Sequence, residues 1–478
     1  MKRNSLHLPK DQKAPMRIDM HESALLLRLL FLLVALCLLP GCAPRLPPPG
    51  EVLDLQALPQ QAGRYIPEGM NEKIALLENK QQHLAARFLE RHFAPWDEDF
   101  AVQTDDSDPF WGLKRYRDRP AYGENLLPLP AKWLKEMAGQ SAQDLYPSLV
   151  QPAVTVVTAS LRVLPTHKPV FSDPADAGEG FPFDSMQNSL VPAGTPVLVV
   201  HAALDGSWYL VKTPHVSGWV RPWEVAWVDQ AFMDAFRSAD MVGFVRDHIA
   251  ALTSQGMFVV HGRVGMLLPR SPVPPPPGMV AVLAPLRRAD GWAELESALV
   301  PETSVQPWPL TWTRTNFSRV LDALLDQPYG WGGMFENRDC SALVQDVYAL
   351  FGLAMPRNSR AQARAGQVIA LEGLTAAEKE KRIQEQGVPL LTIVNMPGHV
   401  MLYLGLDPAS GRPVVLHAMW GLRTKPPGMR DVPTATPGRW VIGRTVITTL
   451  TPGAELANLI RPQGLLVERV SSMTILGE

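Results

Sequence analysis

The sequence predicts a multidomain α+β chain with a helical N-terminal region, two small β-barrels and a C-terminal α+β domain. Three observations carry this. The chain has 478 residues, too many for one core and enough for about three domains. From Ala153 onward, short β-rich runs alternate with turn signals rather than with helical periods. From about Thr311 the pattern becomes helix, glycine-rich loop, helix and then strands. Composition agrees. A hydrophobic fraction of 46% excludes a mainly disordered chain, and the 46 prolines, roughly twice the usual share, favour loop-rich β modules. The net charge of −2 supplies no basic face, so nucleic acid is not an expected partner.

Residues 1–41 read as an export signal. Behind Arg17 and Arg28 lies FLLVALCLLPGC, with an apolar run of about 13 residues, too short to span a bilayer but right for a signal-peptide core. It ends in Leu39-Pro40-Gly41-Cys42, which resembles the lipobox of bacterial lipoproteins. That resemblance implies lipidation of Cys42 and contact with a membrane through the lipid. Ala43 and Pro44 follow, not the aspartate that retains some lipoproteins at the inner membrane. The expected location is therefore the outer membrane, facing the periplasm. Residues 42–52 are proline-rich and read as an extended tether.

Residues 53–150 read as a helical supporting domain. The clearest period runs from Asn71 to His92, with Ile74, Leu77, Leu84 and Phe88 on one face. Residues 151–230 read as a first barrel, built from VTVVTASLRVLP, TPVLVVHA, SWYLVKTP and SGWVRPWEVAWV. A long loop, FSDPADAGEGFPFDSMQNS, interrupts it. Loops of that length usually serve a purpose, and Asp184 within it is a candidate substrate contact. Residues 231–310 read as a second barrel entered through a helical stretch over 230–253. Residues 311–450 form the α+β domain, and residues 451–478 read as a C-terminal extension.

The chemistry centres on Cys340. Of three cysteines, Cys37 falls in the signal and Cys42 in the lipidation motif, so Cys340 remains the lone thiol of an exported chain. Asp339 is a good N-cap for the apolar helix pattern SALVQDVYALF, with Gly352 as its stop. Cys340 then sits in the first turn, where unpaired N–H groups and the helix dipole favour a thiolate. A thiol titrating near or below neutrality is expected. A cysteine nucleophile needs a base and an orienter. Of the 11 histidines, His167, His201, His215 and His261 lie in barrel strands or loops. His399 opens the strand HVMLYLG and His417 lies in VVLHAMW. The turn-rich DPASGRP between them suggests a hairpin, and an even register would put both imidazoles on one face. Cysteine-pair zinc sites are excluded by count, and no His-Glu-x-x-His is present.

PYGWGG before Asp339-Cys340-Ser341, and PGHVMLYLG around His399, in the order Cys…His…His, resemble the NlpC-type bacterial cell-wall cysteine peptidases over residues 313–450. The resemblance implies a papain-like α+β fold, and the order argues against the circularly permuted relatives. The barrels resemble the bacterial SH3-like domains that accompany wall hydrolases. Together they resemble the branch described as γ-D-glutamyl-L-diamino-acid endopeptidases. The resemblance implies Cys340 as nucleophile, His399 as base, His417 as orienter and Tyr329 beside the cysteine. It implies that Asp339, Ser341, Arg357 and Ser359 hold the peptide, including its free amino end. Peptidoglycan stem peptides with a free N-terminal L-Ala are the implied partners. No cofactor and no metal are implied. Arg338 and Ala342 depart from an aromatic and a glycine common in the family, and Asn358 is neutral where relatives can be acidic. A D,D-endopeptidase or amidase, a transpeptidase using the same acyl-enzyme, and a non-catalytic wall-binding lipoprotein are the alternatives.

Overall fold

In a computed structural model the chain is described over residues 52–477, except 69–71, 101–107, 118, 177–178, 239, 426–437 and 463. Cys42 and the tether lie outside the described residues. The helical period of the N-terminal region folds as α1 (Glu72–Phe93). Phe88 packs into the core of the C-terminal domain together with Leu58, Ala62, Tyr65 and Ile66. Phe93 and Trp96 enter the core of the second barrel, and the Trp96 indole donates to the Ala153 carbonyl of the first at 2.7 Å. Phe110, Leu113 and Tyr116 pack against Trp219 of the first barrel. Residues 53–150 therefore act as struts that tie three cores together.

The first barrel comprises β1 (Gln151–Thr155), β2 (Ala159–Arg162), β3 (Gln187–Val191), β4 (Pro196–Ala202), β5 (Tyr209–Lys212), β6 (Ser217–Val220) and β7 (Val225–Trp227). Their antiparallel order is β3-β2-β6-β5-β4-β1-β7. Alternate apolar residues such as Val197, Val199, Val211 and Val220 close its interior.

The helical stretch expected over 230–253 is shorter. Only α2 (Gln230–Ser238) is helical, and residues from Met241 onward are strands. Gly243 and the turn through His248, which takes a positive φ of 57°, break any helical continuation. The second barrel pairs two sheets. One contains β8 (Met241–Phe244) between β11 (Leu267–Pro269) and β14 (Val305–Pro307). The other, in order, is β10 (Phe258–Gly262), β9 (Ile249–Leu252), β13 (Ala293–Pro301) and β12 (Met279–Arg287).

In the C-terminal domain, α3 (Arg314–Leu324) and α4 (Cys340–Leu350) pack into one core with an antiparallel six-stranded sheet. Its strands are β15 (Gln367–Ala370), β16 (Thr392–Met396), β17 (His399–Leu406), β18 (Pro413–Thr424), β19 (Gly438–Thr448) and β20 (Ser472–Ile475). The order is β15-β20-β16-β17-β18-β19. Residues 451–478 are thus no extension: β20 is interior to the sheet, with Met473 and Ile475 buried. Four residues alone carry too little alternation to announce a strand. The charged run after Thr375 forms α5 (Ala376–Gln386), started by a Thr375–Glu378 capping box. It is not wholly solvated, since Ile383 is buried and Lys379 donates to the Val467 and Glu468 carbonyls at 3.0 and 3.1 Å. At the β19 edge, the Gln60 amide bonds both main-chain groups of Ile447, at 2.9 and 2.8 Å, which covers an edge otherwise open to pairing.

The second barrel is fastened to α4 and the loop before it by a buried ion network. The Arg338 guanidinium donates to both Asp247 oxygens at 2.6 and 2.9 Å, to Asp346 at 2.7 Å, to the Val264 carbonyl at 2.9 Å and to Gln327 at 3.1 Å. Arg263 adds a bond to Asp346 at 3.2 Å. The departure at Arg338 therefore belongs to domain docking.

Candidate active site

Asp339 caps α4 by accepting from the Ala342 N–H at 2.8 Å, and Cys340 is the first helical residue, 6% exposed. The β17–β18 register brings the two histidines together: His399 Nε2 lies 2.8 Å from His417 Nδ1. A residue the sequence did not flag completes the chain. His417 Nε2 lies 3.1 Å from Thr448 Oγ1, and that hydroxyl donates its proton to the Thr449 carbonyl at 2.7 Å. Thr448 has only one proton to give, so it must accept from His417 Nε2–H. His417 Nδ1 is then the acceptor for His399 Nε2–H. His399 is left with an unprotonated Nδ1, the lone pair a base requires. A threonine two strands from His399 offers no sequence signal for this role.

The electrostatics correct one expectation. Burial pushes the Cys340 thiol up to about 12, with the Asp339 charge adding to it; N–H groups of Val400 and Ser341 and the Arg357 charge oppose the rise. Burial and the Arg469 charge lower His399 to about 4, and burial takes His417 well below its usual range. The helix start is present, but desolvation outweighs it. Both shifts favour a neutral thiol and a neutral imidazole over an ion pair.

Two chambers meet at Tyr329, Trp331 and Gly398. One, of about 290 Å³, contains Cys340, Asp339, Ser341, Arg357 and Ser359; the first barrel walls it with residues such as Gln187, Asn188 and His215, and the N-terminal region with Trp111 and Arg115. The other, of about 260 Å³, contains His399. Tyr329 is half-buried between them, its phenol held well above its usual value by desolvation and by Cys340 and Asp339. The barrel can approach because Gly332 and Gly333 carry no Cβ: one at Gly332 would strike the Gln187 carbonyl, and one at Gly333 the Leu190 side chain. Gln187 Nε2 then reaches the Gly332 carbonyl at 3.1 Å. From the long loop, Phe181 packs edge-on against Trp420, and Phe183 does so against Tyr329, Trp331 and Trp420.

Asp339 is more heavily engaged than an amine clamp requires. Its carboxylate accepts from Ala342 N–H, from Ser341 Oγ at 3.0 Å, from Gly332 N–H at 3.0 Å and twice from Arg357, at 3.1 and 2.8 Å. Arg357 therefore offsets its charge; the same guanidinium reaches Ser341 at 2.9 Å and Ser189 of the barrel at 2.8 Å. Asn358 caps the short helix Ser359–Gln362. Asp184 is not a substrate contact. It is 3% exposed, paired with Arg162 at 2.8 Å, and accepts from Val170 and Met186 N–H groups.

Three family models match the chain: the NlpC/P60 family over residues 326–424, an SH3 domain of SH3b1 type over 169–221, and the NLPC_P60 stabilising domain over 30–146. A probable endopeptidase of Corynebacterium glutamicum is 27% identical over 124 residues, which cover 26% of this chain and 51% of that protein. A probable endopeptidase of Mycobacterium bovis is 33% identical over 90 residues, 18% of this chain and 20% of that protein. The chain thus spans about half the length of the first of these relatives and a fifth of the second. A solved NlpC/P60 endopeptidase from Photobacterium damselae subsp. piscicida superposes with a TM-score of 0.74 over 88% of this chain and 97% of that one, at 22% identity. That likeness extends the shared fold, barrels included, to nearly the whole chain.

Proposed function

We propose that this chain, whose C-terminal domain is an NlpC/P60 domain, is a cysteine peptidase that hydrolyses murein stem peptides between the D-Glu γ-carboxyl and the diamino acid. The observation that carries this is the hydrogen-bonded line from Thr448 through His417 to His399, whose neighbour Val400 bonds through its N–H to Cys340 at a helix start. His399 Nδ1 takes the thiol proton as sulfur attacks the carbonyl. The imidazolium returns that proton to the departing amine as the C–N bond breaks. Water, deprotonated by the same nitrogen, then releases the acyl group and regenerates the thiol. N–H groups at the start of α4 are positioned to steady the oxyanion.

The barrel wall opposite Cys340 supports a peptide that ends soon after the acyl residue, hence a free L-Ala end rather than a sugar-linked one. With the Asp339 charge offset by Arg357, an ammonium there would gain hydrogen bonds more than ion pairing. Such a contact is worth about 1–1.5 kcal/mol, or roughly tenfold in rate, rather than the hundredfold of an unshared charge. L-Ala-γ-D-Glu-diaminopimelate should therefore be cleaved about tenfold faster than its N-acetyl form, with L-Ala-D-Glu and the free diamino acid as products. Splitting of crosslinked dimers into monomers at the D-Ala–diamino acid bond instead would favour the D,D-endopeptidase alternative.

We further propose that Cys42 is lipidated and anchors the protein at the outer membrane, facing the periplasm. The Leu-Pro-Gly-Cys ending and the proline-rich tether support this. Stable anchoring needs more than one acyl chain. The mass of the N-terminal peptide from a membrane fraction should equal that of a multiply acylated Cys42, and a soluble protein beginning elsewhere would contradict it.

A further inference from the structure

The chamber on the His399 side has an uneven charge. Arg423, Arg439 and Arg469 line it, and among the described residues no carboxylate does. Arg439 donates to the main-chain carbonyls of Asp176, Glu179 and Phe181, which fastens the long barrel loop. The other two guanidiniums are nearly unused. Arg469 makes one long bond, 3.4 Å, to the Pro397 carbonyl. Arg423 is exposed, and its guanidinium has no hydrogen bond or ion pair among the described residues. Burial and the Arg423 charge hold the Arg469 guanidinium below its ordinary value. Two like charges facing one chamber without an anion between them raise its free energy, and a bound carboxylate would relieve it.

Which half of the substrate lies there follows from the chemistry. His399 gives its proton to the departing amine, so the departing residue must occupy the His399 side, and the acyl residue the Cys340 side. We infer that Arg423 and Arg469 form a carboxylate subsite for the departing amino acid, selecting a diamino acid whose side chain carries a carboxylate over lysine. This rests on the peptidase reading. The distal end of diaminopimelate carries both an ammonium and a carboxylate, so it enters without net charge. The bare ammonium of lysine would meet two guanidiniums with nothing to offset it. The subsite also touches the base. The Arg469 charge lowers His399, so a carboxylate bound to Arg469 makes His399 a stronger base only when substrate is present.

The test uses the full chain carrying Cys340→Ala, which binds without turnover. It is titrated calorimetrically with L-Ala-γ-D-Glu-meso-diaminopimelate, the same peptide with both diaminopimelate carboxylates amidated, and the L-lysine peptide. The free-carboxylate peptide should bind at least about tenfold tighter than the other two. Adding Arg469→Gln, or separately the exposed Arg423→Gln, should shrink that advantage to about twofold. Equal affinities, no detectable binding of the free-carboxylate peptide, or an advantage that survives both substitutions overturns the subsite. The peptidase reading fails separately. An unsubstituted protein that releases no diamino acid while the selectivity holds would sink that reading alone, whereas equal cleavage of all three peptides would sink the subsite alone.

Discussion

Cys340→Ala should abolish hydrolysis of the murein tripeptide while leaving the thermal unfolding curve in place, because the side chain is small and its helix keeps the Asp339 cap. His399→Ala should cost on the order of 10⁴–10⁶-fold in kcat, as loss of a nucleophile's base does when the members act as a unit. His417→Ala should cost less than the roughly 10⁴-fold seen when a carboxylate orienter is replaced. His417 is neutral and ends on a threonine hydroxyl, so it fixes the His399 tautomer without stabilising its charge. The pH profile carries the same geometry. Because His399 is lowered to about 4, it remains an unprotonated base down to that pH, and activity should be lost only as pH falls through about 4. At pH 7 iodoacetamide should alkylate Cys340 more slowly than free cysteine, whose pKa is about 8.5, because burial holds the thiol protonated. A thiol that reacts faster than free cysteine at pH 7, with the rate changing again as an imidazolium is lost at alkaline pH, would mean a resting ion pair and would contradict the neutral pair.

Arg338→Ala should destabilise the protein by about 3–5 kcal/mol, the range for removing one partner from a buried ion pair. The Arg338 and Asp247 side chains are 3% and 7% exposed, so Asp247 would be left charged and buried with only the Val264 N–H donating to it, at 2.7 Å. The double variant with Asp247→Ala should lose less than the sum of the two single changes, because the second removes the orphaned charge. Acid should act similarly. The Arg338 charge and hydrogen bonds hold Asp247 at about 2, below its ordinary 3.8. Its contribution is full above about 4 and is lost as pH falls through about 2. Denaturant midpoints at neutral pH check the first claim. A loss under about 1 kcal/mol would show that the second barrel is held by its apolar contacts alone.

What the sequence disclosed here was local. The Asp339 cap, the position of Cys340 in its helix and the two histidine-bearing strands are each written within a dozen residues, where spacing and capping chemistry suffice. What it hid depends on contacts between distant segments. Thr448 acts only because β19 pairs with β18. Arg338 finds Asp247 in another barrel, and β20 becomes a strand only between two others. The thiol's state was misjudged for the same reason. A helix start can be read from Asp339-Cys340, but the packing that desolvates Cys340 comes from β17, the first barrel and the N-terminal struts. Gly332 and Gly333 mark the opposite case: the sequence displayed them plainly, but only the closeness of β3 explains why a side chain is forbidden there.

The most direct measurement is the mass of the products released from purified muropeptides by the unsubstituted chain, with Cys340→Ala as control. Cleavage at the D-Glu γ-carboxyl predicts L-Ala-D-Glu together with fragments that begin at the diamino acid, and neither with the control. Fragments that retain the D-Glu–diamino acid bond, or identical digestion by the Cys340→Ala protein, would contradict it.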